Sequence, residues 1–269
     1  LVGSEMCIRD RDITGADVGV SFASSNSGST TNLTNNGTIT GGNTALSFDN
    51  IAGLTVTNAV DGTISSTGPL GLGLSVQNAA GAMVDNSGII SALGDGSIAL
   101  TLNGLDNSNA MNSGSIQSSA EGDTTAAAVL INGSTETAFT NSGSITASGD
   151  GDIGVAIQNN TNFTFTNAAE GSIEATGVDG VAVQLNGFND GSTVFVNEGS
   201  ISSAGLAIRG FLGNGIVDNS GAITGSIELV GDDSTVINEG SIDGNVTFGA
   251  GSDVFIQDVT TASLTGIVD

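Results

Sequence analysis

Apolar and polar residues alternate in short runs along most of this chain, and the runs are broken by Asn, Gly, Asp and Ser. LTVTN ending at Asn58, TAFTN ending at Asn141, FTFTN ending at Asn167 and TVFVN ending at Asn197 are one kind of run. A second kind is a short Ser/Thr-Ile piece following a glycine. A third carries stronger apolar alternation, as in ALSFDN ending at Asn50, LGLSVQN ending at Asn78, IALTLNG from Ile98, VAIQNN from Val155 and VAVQLNG from Val181. A period of two with β-branched and aromatic enrichment predicts strands. No stretch sustains the helical period. Asn and Gly between the runs accept positive φ, and Asp and Ser bond locally to the backbone, so the breaks read as turns.

The three kinds of run follow one another in a fixed order, tied to a motif: Asn, a small or acidic residue, Gly, a small residue, Ile. It starts at Asn35, Asn86, Asn112, Asn141, Asn197, Asn219 and Asn238, and two further copies at Asn58 and Asn167 carry a two-residue insertion. The motif isoleucines are Ile39, Ile64, Ile90, Ile116, Ile145, Ile173, Ile201, Ile223 and Ile242, with closer spacing toward the C-terminus. A repeat of this period with three strands per copy predicts a solenoid. The expected fold is all-β, a right-handed parallel β-helix with three strands per rung and about nine to ten rungs. At about 4.8 Å per rung it would form a rod roughly 45 Å long. Residues 12–205 supply the long rungs and 206–269 the shortened ones.

Equivalent residues of such a coil stack in files. Two positions before each motif Asn the file reads Leu33, Val56, Val84, Ala110, Phe139, Phe165, Phe195, Val217 and Val236, apolar throughout. The isoleucines form a second interior file. The motif Asn residues form a third, at a turn, where stacked amides bond rung to rung. A second Asn file is expected through Asn50, Asn78, Asn103, Asn132, Asn159 and Asn186.

Composition narrows the function. Of 269 residues, 42 are Gly; there is one Pro and no Trp, Tyr or His. The only basic residues are Arg9, Arg11 and Arg209, against 28 acidic ones, for a net charge of −25. That balance excludes nucleic acid, whose phosphates need a basic face, and docking on anionic lipid. The apolar residues recur in register, which argues against the disorder that high charge can signal. Cys7 is the only cysteine, so no intramolecular disulfide forms. No apolar run approaches the roughly 20 residues that span a bilayer. Leu1 to Arg11 lacks the Asn/Gly/Thr texture, and Met6 to Asp10 resembles a translated library-preparation adapter. Residues 1–11 are therefore expected to be foreign, and 12–269 to be one solenoid.

The N-x-G-[ST]-I rungs, the acidity, the scarcity of Cys and Pro and the shortened coils from Gly225 to Asp258 resemble the passenger region of autotransporter proteins of Gram-negative bacteria. The resemblance covers Asp12 to Asp269. It implies export through the outer membrane to the cell surface, with a signal peptide before the passenger and a membrane β-barrel after it, so that this chain is an internal fragment. It implies an adhesive or structural scaffold whose partner is a host or cell-surface ligand. A filamentous-haemagglutinin-like exported adhesin is also compatible.

Candidate chemistry is sparse. Without His or Lys, most nucleophile–base pairs are excluded, and zinc with them. The enzymatic alternative is a β-helical polysaccharide lyase or glycoside hydrolase, which would need converging carboxylates. With Arg209 alone in the solenoid, following Leu206-Ala207-Ile208 where other rungs place Gln158 and Gln184 and expected to face solvent, the expectation is no enzyme and no catalytic residue. No cofactor is expected, with Ca²⁺ as the one candidate. Asp95, Glu121, Asp123, Asp150, Asp152 and Asp179 fall five to seven positions after successive motif isoleucines and would form an acidic stripe. Hard oxygen ligands in a row suit Ca²⁺; the competing reading is a solvated edge whose charges block aggregation. Gly249 to Phe255 resembles half of a Ca²⁺-binding nonapeptide through Asp253, but occurs once and reads as a turn. The loops 159–162 and 186–192 are the expected sites of functional variation.

Overall fold

The structure is a computed structural model that describes residues 4–8, 12–23, 31–119, 126–188, 193–212, 216–231, 233–258 and 260–269. Among them there is no helix, and the strands pair only in parallel. The chain is a parallel β-solenoid. Each long rung lays down three strands in turn, as Thr55–Asn58, Thr63–Ser66 and Leu72–Gln77 do. The next rung repeats them as Met83–Asn86, Ile89–Ala92 and Ile98–Asn103, each beside its predecessor.

The first strands of all rungs form one sheet of 11 strands. It begins at Ser4–Ile8, inside the segment expected to be foreign, and ends at Val254–Gln257. Ile8 lies opposite Asn35, so the Asn file does not extend onto that strand. The second and third strands were expected in two separate sheets, and in the long rungs a turn does divide them. Toward the C-terminus they merge into one sheet of 19 strands, because Ser200–Leu212 and Ala222–Leu229 each run through the corner unbroken. Rung length explains the merger. Successive motif Asn residues lie 23, 28, 26, 29, 26 and 30 residues apart, and then only 22 and 19. The short rungs lose the turn between the second and third strands, and the unequal strand lengths appear as register shifts at Ser202/Leu206 and Leu206/Ile208.

Burial follows the two-residue period. The first-sheet file from Leu33 to Val236 and the isoleucine file from Ile39 to Ile242 are both buried, and belong to one continuous core. Phe139, Phe165 and Phe195 stack with ring centroids 5.0 and 5.3 Å apart, near one rung repeat. Phe22 and Phe48 stack likewise at 5.1 Å in the third strand, a pair the repeat pattern had not singled out. Each core ring removes apolar surface worth about 1.5–3 kcal/mol from water.

The motif Asn residues form the expected ladder. From Asn35 to Asn238, each Nδ2 donates to the Oδ1 of the next rung's Asn at 2.7–2.8 Å, through eight consecutive bonds. The second Nδ2 proton reaches a main-chain carbonyl, such as that of Ser144 from Asn112 at 3.3 Å. All nine side chains are buried. The motif glycine has a different reason from the one its turn position suggested. Gly114 does not adopt positive φ. Instead, a Cβ there would overlap the Gly88 carbonyl of the preceding rung, and the same holds at Gly143, Gly199, Gly221 and Gly240. Space between rungs, not φ, demands glycine.

The second Asn file needs correction. Asn103 pairs with Gln77 and with Asn132, and Asn132 pairs with Gln158, so the file reads Asp49, Gln77, Asn103, Asn132, Gln158, Asn186. Asn50, Asn78 and Asn159 belong to the following position, shared with Gly104, Gly133 and Gly187, where every residue has φ between 53° and 74°. The corner needs one left-handed residue. Asn and Gly both supply it, so the asparagines of two neighbouring files looked like one. Cross-file bonds remain, as from Asn78 Nδ2 to Asp49 Oδ1 (2.9 Å) and Asn159 Nδ2 to Asn132 Oδ1 (3.1 Å), on the exposed corner.

Candidate functional site

The acidic turn joins the second strand to the third. Its register follows from the strands after it: Ile98, Ala127, Ile153 and Val181 share a file. Asp95 stands three residues before Ile98 and Asp150 three before Ile153, so these two share a column two rungs apart. Asp179 stands two before Val181 and falls one position further on, at φ 57°. Glu121 and Asp123, in the rung between Asp95 and Asp150, lie outside the described residues. The stripe is therefore uneven, as unequal offsets imply.

Asp150 and Asp152 in this turn, and Asp233 and Asp253 in the turns leading into the last two first-sheet strands, bond to backbone. Asp150 Oδ1 accepts the Val178 N–H at 2.9 Å, tying its rung to the next. Asp152 is fully buried and points into the rung, where Oδ2 accepts the Gly149 N–H at 3.1 Å. It occupies the file position of Ser97, whose hydroxyl also bonds back to Gly94. Asp253 Oδ1 accepts the Ser234 N–H at 2.8 Å, while Asp233 Oδ1 accepts the Ser252 N–H at 2.7 Å. These reciprocal bonds lock one short rung onto the next. Among the described residues, no three acidic or thiol side chains come together as metal ligands. The arrangement performs turn chemistry: carboxylates replace missing ladder acceptors at corners.

Arg209 is half-buried and donates from Nη2 to Gln184 Oε1 at 2.9 Å. It pairs in register with Gln184 and Glu228. Gln158 pairs with Asn186 and lies two positions along, so only one of the two glutamines expected at this position shares its file. Loop 159–162 proves to be part of the stack. Asn160 is buried, its Oδ1 accepts the Ser134 N–H at 2.7 Å, and Thr161 bridges to Thr135. Of the other expected loop, residues 189–192 lie outside the described residues.

Sequence reasoning missed the outer surface of the first sheet. Its outward positions are rich in Thr, Val and Ile, whereas the second strands of the rungs turn mostly Ser and Thr outward. The signal was present in the TVT, TFT and VFV triplets, whose flanking residues face away from the core. Comparison with protein-family models, with curated proteins and with solved structures finds no match for this chain.

Proposed function

We propose that this chain is a non-catalytic display scaffold, carried on a bacterial cell surface as the passenger of an autotransporter-like protein. The Asn ladder carries the reading. It runs through eight bonds along the rod and consumes its polar groups in holding rungs together. A solenoid of this kind puts its sequence into stiffness and leaves its outward side chains free to vary. The acidic residues sit mainly in turns, where they keep the rod soluble and block lateral pairing. A chain without disulfides is also compatible with passage through an outer-membrane pore before folding.

The test uses antibodies raised against the purified chain, on cells carrying the complete reading frame. Labelling of intact cells supports display at the surface. Labelling only after permeabilisation overturns it. Incubation of the purified chain with acidic and neutral polysaccharides should release no reducing or unsaturated ends. Release that survives repurification would establish the enzymatic alternative.

A further inference from the structure

The turn after the first member of the Asn ladder differs from its counterparts. In later copies of the motif, the Gly88, Gly114 and Gly143 N–H groups donate to the main-chain carbonyl of the preceding rung's ladder Asn at 3.0–3.2 Å. Asn35 has Ile8 opposite it on the preceding strand, where every later member has an Asn. Its Oδ1 therefore receives no ladder amide and accepts the Gly37 N–H instead, at 3.2 Å. That bond closes a local Asx turn around Asn36. The Gly37 nitrogen is thus kept inside its own turn, next to the half-buried Asn36. Among the described residues, nothing hydrogen-bonds the Asn36 side chain, which stands where later copies carry Ser87, Ser113 and Ser142.

An asparagine followed by glycine carries its own electrophile and nucleophile. The amide nitrogen of the glycine can attack the asparagine Cγ, and no Cβ hinders the approach. The chain has five such pairs, at Asn36, Asn103, Asn132, Asn186 and Asn214, and Asn214 lies outside the described residues. Asn103 and Asn132 end their strands and Asn186 lies within one. A strand side chain stands off the sheet while the next N–H lies in its plane, so the two reacting groups are held apart. The Gly104 N–H is bonded to the Asn132 carbonyl at 2.9 Å and the Gly133 N–H to the Gln158 carbonyl at 3.0 Å. The Asn103 and Asn132 side chains are themselves joined at 3.1 Å. Asn36 lies in no strand, between Thr31–Asn35 and Thr38–Gly41, and neither restraint applies to it.

We propose that Asn36 is a site of spontaneous deamidation, the first of the four described Asn–Gly pairs to convert in the folded chain. The Gly37 nitrogen gives up its proton and bonds to the Asn36 Cγ. The bond from Cγ to the side-chain nitrogen breaks, and that nitrogen leaves as ammonia. Water then opens the resulting succinimide. Cleavage between Cγ and the ring nitrogen gives aspartate, and cleavage at the main-chain carbonyl gives isoaspartate. The isoaspartate adds one methylene to the main chain next to Asn35, at the head of the ladder. The experiment keeps the purified chain in mildly alkaline buffer at body temperature, folded and in urea, with samples taken over several weeks. Peptide mapping by mass spectrometry with electron-transfer fragmentation reads each pair and separates aspartate from isoaspartate. In urea the four pairs should convert at similar rates. In the folded chain Asn36 should stay close to its rate in urea, while Asn103, Asn132 and Asn186 should slow by about tenfold or more, because each must first open locally. Conversion of Asn103, Asn132 or Asn186 as fast as that of Asn36 in the folded chain overturns the proposal. So does a folded Asn36 that stays intact while the chain in urea converts.

Discussion

The direction of the Asn ladder can be tested at its centre with Asn141→Asp, a change of one atom. The Asn141 side chain is fully buried. Its Oδ1 accepts from Asn112 Nδ2 at 2.7 Å, which an aspartate would preserve. Its Nδ2 faces three oxygens: Asn167 Oδ1 at 2.8 Å and the carbonyls of Ser172 and Gly143, each at 3.2 Å. An ionised carboxylate would set an oxygen against all three, in a site closed to water. Asn141→Ala gives the reference. It strands an amide proton of Asn112 and the Oδ1 of Asn167, at about 1–3 kcal/mol each. Asn112 keeps longer contacts to Gly114 and Ser144, so the alanine cost should be about 2–4 kcal/mol. The aspartate should cost several kcal/mol more at neutral pH, because its charge is buried without a compensating donor.

The pH dependence has a definite sign. Burial and the facing oxygens raise the carboxyl pKa in the folded state above its unfolded value of about 3.9. The penalty is therefore absent below the unfolded value and grows as pH rises toward the folded one. A protonated carboxyl can donate to one of the three oxygens, so acidification should bring Asn141→Asp to within about 1–2 kcal/mol of wild type. The assay is urea unfolding of wild type and both variants at neutral pH and near pH 4. Stability is read as variant minus wild type, so that the other carboxylates cancel. Hydrogen exchange of the flanking strands reports local opening, which a solenoid allows. An aspartate deficit no larger than that of alanine, or one unchanged by acid, would refute the ladder's direction.

Phe165→Ala removes the middle ring of the Phe139–Phe165–Phe195 stack and should cost about 3–5 kcal/mol in urea melts; a loss near zero would mean the ring is exposed in solution. Gly114→Ala forces a Cβ onto the Gly88 carbonyl and should cost about 3 kcal/mol despite an ordinary φ, measured the same way. Ser118 Oγ is buried without a hydrogen-bond partner in a file where other rungs carry Ala92 and Ala147, so Ser118→Ala should raise stability by about 1 kcal/mol. Asp95→Asn with Asp150→Asn should leave the difference in melting temperature between CaCl₂ and NaCl at matched ionic strength unchanged. A Ca²⁺-specific rise lost in that variant would restore the acidic turn as a metal site.

The fold was legible because the interior of a solenoid is written once per rung. Buried files must satisfy the same neighbours above and below, so Phe165 and Asn141 sit in columns of their own kind. The corner after the third strand was misread because its constraint is conformational, not chemical. Asn78 and Gly104 satisfy one left-handed position, and Asn103 beside Gly104 then imitated a continuous file. The merger of the second and third sheets was hidden for a similar reason. Strand patterning near Ser200 to Leu212 matches that of earlier rungs, and only the missing turn residues distinguish it.

The candidate sites were less legible, since a carboxylate at a turn looks the same in sequence whether it holds a cation or an N–H. In each of Asp152 and Asp253, one carboxylate oxygen accepts a backbone N–H, a role that sequence does not distinguish from holding a cation. The outer face of the first sheet has the opposite problem. Thr166 and Val196 are ordinary strand residues one by one, and their regularity lies in what stands beside them on the next rung. That adjacency depends on the ladder and the motif glycines. Asn fixes each rung's position along the strand, and glycine lets it approach the one before, so an outward lattice inherits its registry from the inward files. A slip of one residue would turn the Asn side chains out and the Thr/Val face in. The regular outer surface is thus a consequence of the buried one.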